Sequence, residues 1–448
     1  MAKTLMAVDA GTGSVRAVLF SLEGEQLGCV QQEWTHREDP RYPGSMDFDW
    51  VHNWDLARGC IRGVIEQTGV DPHDIAAVST TCMREGIVLY DKDGQEIWAC
   101  ANVDARSDDE VAQLVHMNPE LEKQIYRESG QTYALGALPR LFWVKNKMPE
   151  VYEKTAMCTM FNDWLIYKMT GVFSSEPSNA CTTGIFDLKA RDWDDQIAAS
   201  IGLKTGIFPK ISECGTVVAQ VGAKGAAETG LAEGTPVVAG GGDAQLGCVG
   251  VGVVDANQAA IFGGSFWQYE YNTDEAKTDE HCRVRVNCHS VPGIWQYEAL
   301  AFKPGMVMRW YRDAFCQYEK ELSKTTGRDP YDLMNEKAKD IPAGCYGMMC
   351  AFSDVMNYIS WRHASPMFIN FDFDPDKFNR YTFYRAIMEN TAMITKGHLE
   401  LVREAHLKQI EDHMNAIVDL AAGCSLTEEE AVEMLRLMWD MKGKDEEC

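Results

Sequence analysis

The chain has 448 residues, 46% hydrophobic and 24% charged, too long for one hydrophobic core and balanced like a folded protein of two or three domains. Its net charge of −25 argues against a nucleic-acid partner, since phosphate backbones demand a basic surface, and any phosphate must be met by local donors or metal. No apolar run suggests a membrane span, Asp9 breaks the N-terminal stretch before it resembles a secretory signal, and fifteen cysteines without a C-x-x-C pair read as free thiols in a reducing cytoplasm.

Residues 5–34 predict three short strands in an antiparallel meander. The first ends in Asp9-Ala10-Gly11-Thr12-Gly13-Ser14 and leads into a second apolar run, Val15 to Phe20. Glycines let backbone amides approach an anion without a Cβ in the way, and Thr12 and Ser14 add short donors, so the turn is suited to a phosphate. Asp9 cannot hold a phosphate directly, because like charges repel; its natural role is to hold Mg²⁺ or its water shell. Trp54, Ala57, Ile61, Val64 and Ile65 recur at helical spacing, and Gly69 closes that helix. Ile75 to Thr80 returns to strand, and strands then alternate with helices to about Gly234, which predicts an α/β domain over 1–234. Met83-Arg84-Glu85-Gly86 and Asn102-Val103-Asp104-Ala105-Arg106 each follow a strand. Charged and amide groups at strand carboxyl ends suit a small polyhydroxylated substrate; the competing reading is a pair of surface ion pairs. Trp143, Trp164, Trp267 and Trp310 are expected in core or pocket walls.

A second domain is expected over 235–405. Pro236 to Ala239 reads as a buried strand, followed by Gly240-Gly241-Gly242-Asp243-Ala244-Gln245. A carboxylate after three glycines can accept a hydroxyl proton while that oxygen attacks phosphorus; the alternative is a helix cap. Gln258 to Phe262 then forms a strand into Gly263-Gly264-Ser265, with Phe266 to Tyr271 as its hairpin partner. Two phosphate-type hairpins, one per half, predict a duplicated domain with a nucleotide between. Cys282, Val284, Val286 and Cys288 alternate with Arg283, Arg285 and Asn287, the period of a half-buried strand; the flanking His281 and His289 tempt a zinc reading, but the spacing matches no standard zinc pattern. The P-loop, the dinucleotide G-x-G-x-x-G and the protein-kinase motifs do not occur.

Asp9-Ala10-Gly11-Thr12-Gly13-Ser14-Val15-Arg16, Met83-Arg84-Glu85, Gly241-Gly242-Asp243 and Gly263-Gly264-Ser265, in this order and spacing, resemble the FGGY carbohydrate kinases over residues 4 to 405. The resemblance implies two ribonuclease-H-like domains of the actin-like ATPase fold. It also implies ATP-dependent phosphorylation of a primary hydroxyl on a small linear polyol or ketose. The first candidate is the quorum-sensing signal dihydroxypentanedione, with a pentulose or glycerol as the alternative. Asp243 would be the general base, and Asp9 would organise Mg²⁺. Gly11, Thr12, Gly13, Ser14 and Arg16 would line the phosphate path, with Gly263, Gly264 and Ser265 closing from the second domain. Arg84, Glu85, Asp104 and Gln245 would hold substrate hydroxyls. A protein partner or homo-oligomer is left open.

The C-terminus departs from the family. Tyr381 to Ala405 matches the helix before the family's adenine site, but no strand and glycine-rich turn follow; residues 406–448 read instead as a helical tail, with Leu407 to Ala422 helical and Thr427-Glu428-Glu429-Glu430 as a capping box. The second domain is therefore expected to be incomplete, with an exposed sheet edge and weak or absent ATP binding. A degenerate kinase that binds the signal without turnover is the third reading.

Overall fold

The computed structural model describes residues 3–134, 136–264, 266–301, 304–352, 367–424, 427–434 and 436. The predicted meander is present as β1 (Thr4–Ala10), β2 (Ser14–Ser21) and β3 (Gln26–Glu33). Alternation puts Met6, Val8 and Ala10 of β1 and Val15, Ala17 and Leu19 of β2 in the core. The helix Trp50–Thr68 starts at Asp49, whose carboxylate accepts from the His52 amide at 3.0 Å, and stops at Gly69 with φ 65°, a conformation that favours glycine. It lays Ala57, Cys60, Ile61 and Val64 over β2 and β3.

β4 (Ile75–Cys82) runs parallel to β1. β5 (Ile87–Tyr90), β6 (Glu96–Cys100) and β7 (Met157–Thr159) form a separate sheet, with the helices between 108 and 154 inserted before β7. A small hairpin, β8 (Phe186–Asp187) and β9 (Asp192–Trp193), precedes β10 (Val217–Gln220) and β11 (Pro236–Gly242). The central sheet has the order β10-β11-β4-β1-β2-β3. The expected division at 234/235 thus does not fall where the sheets change, because β11 belongs to the first sheet, parallel to β4. A Cβ on Gly240 would lie 1.5 Å from the Thr80 carbonyl oxygen, so the glycine run is what lets the two strands close.

The second sheet is antiparallel throughout: β12 (Ala259–Gly263), β13 (Trp267–Thr273), β14 (Arg285–Cys288) and β15 (Trp295–Ala301), in the order β12-β13-β15-β14. β14 is not half-buried as its alternation predicts; Arg285 and Asn287 are as buried as Val286 and Cys288, because their face meets a polar layer rather than water. β16 (Met349–Ala351) and β17 (Met367–Ile369) form a separate two-stranded sheet. The 44-residue helix Arg380–Gly423 covers β13 and β15 and packs against the helices Pro304–Phe315 and Pro330–Ala338. The boundary expected at 405/406 falls inside this one helix. Ile387, Ile394, Val402 and Ala405 are buried, whereas beyond them Leu407, Met414, Val418 and Leu420 are 48% to 70% exposed. The capping box forms: Glu430 accepts from the Thr427 amide at 2.8 Å and its own amide donates to Thr427 Oγ1 at 3.3 Å. Trp143 and Trp164 are core, but Trp310 is half exposed on its helix rather than in a wall. Among the described residues no helix is long and apolar enough to cross a membrane.

Candidate active site

The carboxyl ends of β1, β4 and β11 and the β12–β13 turn open on one cavity of about 950 Å³, a size that suits a small-molecule site. Its phosphate-type rim is the turn Gly11–Gly13. All three carbonyls of that turn are tied back: Trp34 Nε1 donates to Gly11 O at 3.0 Å, His36 Nε2 sits 2.7 Å from Thr12 O, and the Trp34 amide donates to Gly13 O at 3.2 Å. That leaves the amides for an anion. Asn102 Nδ2 fixes the Thr12 hydroxyl at 3.0 Å. Asp9 and Arg16 face each other across the hairpin, with Arg16 Nη2 at 2.7 Å from Asp9 Oδ2. Burial raises the Asp9 carboxyl above its ordinary range, and Arg16 opposes that shift.

Asp243 is the first residue of the helix Asp243–Gly250, directly after β11. It is both a helix-terminal group and a cleft group: Oδ1 accepts from the Ala244 amide at 2.8 Å, while half of its side chain remains exposed. Enclosure by the protein pushes its carboxyl up to about 6; Arg84 and the Ala244 amide pull the other way, and Asp9 and Glu85 add to the rise. A carboxylate in this range suits a general base at neutral pH better than the ordinary value of about 3.9 assumed from sequence. Arg84 lines the same cavity, with Nε at 3.6 Å from Asp243 Oδ1 and Nη2 at 2.5 Å from Glu298 Oε2, and its Nη1 has no protein partner among the described residues. Glu85 sits at φ 68°, a strained conformation for a non-glycine residue. Its carbonyl accepts from Arg140, and its carboxylate accepts from Arg285 at 2.5 Å.

Asp9, Gly11, Thr12, Gly13, Ser14, Arg16, Arg84, Glu85, Asp243, Gly263 and Gly264 all line the one cavity. Asp104 lines it too, but Asp104 and Gln245, two expected substrate groups, have fully buried side chains. The Asp104 carboxylate is fully enclosed, accepting from the Met46 amide at 2.6 Å and from Arg106 Nε at 2.8 Å, which braces Arg106 over the rings of Trp98 and Trp143. Gln245 is fully buried two residues after Asp243 on the same helix, with its amide under Gly242. Ser265 lies outside the described residues. Sequence reasoning missed Arg140, whose guanidinium gathers the carbonyls of Glu85, Asn102 and Asp104, and Arg309, which brings a cation to the cleft from the second half. It also missed Glu298 and Arg285, which no local motif marks.

The FGGY family of carbohydrate kinases, N-terminal domain, matches residues 4–250. The chain is 47% identical over 401 residues to "Autoinducer-2 kinase" of Photorhabdus laumondii, covering 89% of this chain and 76% of that protein, and 47% identical over the same length to "Autoinducer-2 kinase" of Escherichia coli K12 with the same coverage. In fold it is similar to xylulose kinase from Rhodospirillum rubrum (TM-score 0.74, 22% identity, 90% of this chain and 79% of that one). It is equally similar to Plasmodium falciparum glycerol kinase with ADP (TM-score 0.74, 16% identity, 90% and 79%). Fold, site geometry and sequence agree: this chain belongs to the FGGY carbohydrate kinases, ATP-using phosphotransferases built from two ribonuclease-H-like domains.

Proposed function

We propose that the chain phosphorylates a primary hydroxyl of autoinducer-2 in its linear, hydrated dihydroxypentanedione form. The observation that carries this reading is a half-exposed carboxylate, Asp243, lining one cleft with the glycines of both hairpin turns. When bound, ATP supplies the phosphoryl group and magnesium neutralises its charge. The residues present fit both: the Gly11–Gly13 amides, Thr12 and Ser14 offer donors for phosphate oxygens, and Arg16 takes Asp9 Oδ2 while Oδ1 remains to hold a hydrated magnesium ion. Gly263 and Gly264 close the cradle from the second half, and Arg309 adds positive charge. Asp243 removes the proton of the substrate hydroxyl, the Arg84 guanidinium holds positive charge beside it, and the Glu85 backbone, held by Arg140, shapes the floor. Walls from both halves keep out water, which would otherwise accept the phosphoryl group. All fourteen described cysteines are free, which fits a reducing cytoplasm.

A coupled ADP-release assay across autoinducer-2, xylulose, ribulose, gluconate and glycerol tests the substrate. The highest kcat/KM is expected for autoinducer-2; a preference for a pentulose or glycerol overturns the assignment. The unpartnered outer edge of β12 among the described residues favours a second reading, in which nucleotide is held weakly and the signal is bound with little turnover. Calorimetric titration with ATP and Mg²⁺ separates the two: micromolar binding removes the second reading.

A further inference from the structure

A polar layer lies below the cleft floor, where the second sheet meets the loop after β4. Glu270 of β13 and Glu298 of β15 stand directly opposite each other in register, and both are fully buried. Two carboxyls so placed do not both stay charged. Burial and the neighbouring Glu298 raise Glu270; Glu298, despite its burial, is held below its ordinary range by Arg84 and Arg285. Arg285 braces Glu298 Oε1 at 3.4 Å and is itself held by Glu85 at 2.5 Å and Gln131 Oε1 at 2.6 Å. The charged end of Arg84 is therefore clamped from the second sheet, although its backbone belongs to the first half.

We propose that Glu298 is a positioning residue, which fixes the Arg84 guanidinium beside Asp243. Stability alone does not explain this layer, because buried ion pairs replaced by apolar residues of similar volume are often neutral or stabilising. Geometry does explain it. With Nη2 2.5 Å from Glu298, Nε lies on the Asp243 side, at 3.6 Å. Without that anchor, the guanidinium is free to swing onto Asp243 and occupy the base. Loss of the Glu298 anion would thus disable a group it never touches, from a strand 55 residues further along the chain than Asp243.

The inference rests on the kinase reading of Asp243, so the test has one arm that does not. In the full-length protein labelled with ¹⁵N-arginine, the buried Arg84 Nε–H resonance is assigned by its loss in Arg84→Lys. Glu298→Gln is expected to remove or shift that resonance while circular dichroism shows a folded protein, and Glu298→Asp, which keeps the charge, is expected to retain it. In the activity arm, Glu298→Gln lowers kcat/KM by about 10²-fold, mostly through kcat, and Glu298→Asp restores part of the loss. An Arg84 resonance unmoved by Glu298→Gln overturns the proposal, as does an Asp variant no better than the Gln variant. If Glu298→Gln does not fold, the Asp variant decides: a retained Arg84 signal with part of the wild-type kcat supports the clamp, and a lost signal with wild-type kcat refutes it. A wild-type protein without phosphoryl transfer would sink the kinase reading and leave the resonance arm standing.

Discussion

The β1–β2 and β12–β13 hairpins are both antiparallel, each with two glycines at its end, Gly11 and Gly13 in one and Gly263 and Gly264 in the other, and all four reach the same cleft. What lies behind them differs. β1 has β2 on one side and parallel β4 on the other, so its Val8 is fully buried; β12 has β13 alone among the described residues, and its Ile261 is 48% exposed. The two turns are alike, so the difference between the hairpins lies in the strand on the far side, which pairs the backbone groups leading into the first turn.

Native-state hydrogen exchange gives the sharpest contrast. Amides of β1 should exchange only through global unfolding, worth about 5–15 kcal/mol for a typical domain, while the alternate β12 amides that point away from β13 should exchange at nearly the free-chain rate. Equal protection of both strands would break the comparison. Next in size is the helix Arg380–Gly423, which repeats the contrast along its own length. Ile394→Ala, in its buried half, should cost about 2–5 kcal/mol by chemical denaturation. Within the hairpins, Gly263→Ala should destabilise the second by about 1–3 kcal/mol, because a Cβ there would lie 2.2 Å from the Trp267 ring. Gly13→Ala has open space within 4 Å, so it should leave the melting temperature nearly unchanged. The smallest effect is expected for Leu420→Ala, 70% exposed beyond the helix's last buried turn, at within about 0.5 kcal/mol. A loss there as large as at Ile394 would mean that the distal half is packed against something.

Much of this was legible locally. The first meander, the helix closed by Gly69, both glycine hairpins and Asp243 are each written in a few consecutive residues, because turn chemistry and apolar period are short-range. The sheet to which β11 belongs was not, since Pro236–Gly242 pairs with β4, about 160 residues earlier, and a buried strand's own residues do not name its neighbour. Arg285 and Glu298 were missed for a related reason. Alternating polar residues in a strand read as a solvent face, and nothing nearby reveals that Arg285 meets Glu85, 200 residues away, rather than water. Asp104 and Gln245 show the opposite limit: their types suit a polyol, and nothing local reveals that both side chains are buried.

The most direct test is a single-turnover ³¹P measurement of phosphoryl transfer from millimolar ATP to the autoinducer, comparing wild type with Asp243→Asn from about pH 5 to about pH 8. A base must be deprotonated to act, so the wild-type rate should climb as pH rises through about 6 and level off above it. The asparagine variant should be slower by about 10²–10⁴-fold across the range. A variant that transfers phosphate at the wild-type rate, or a wild-type profile flat through pH 6, would contradict the account.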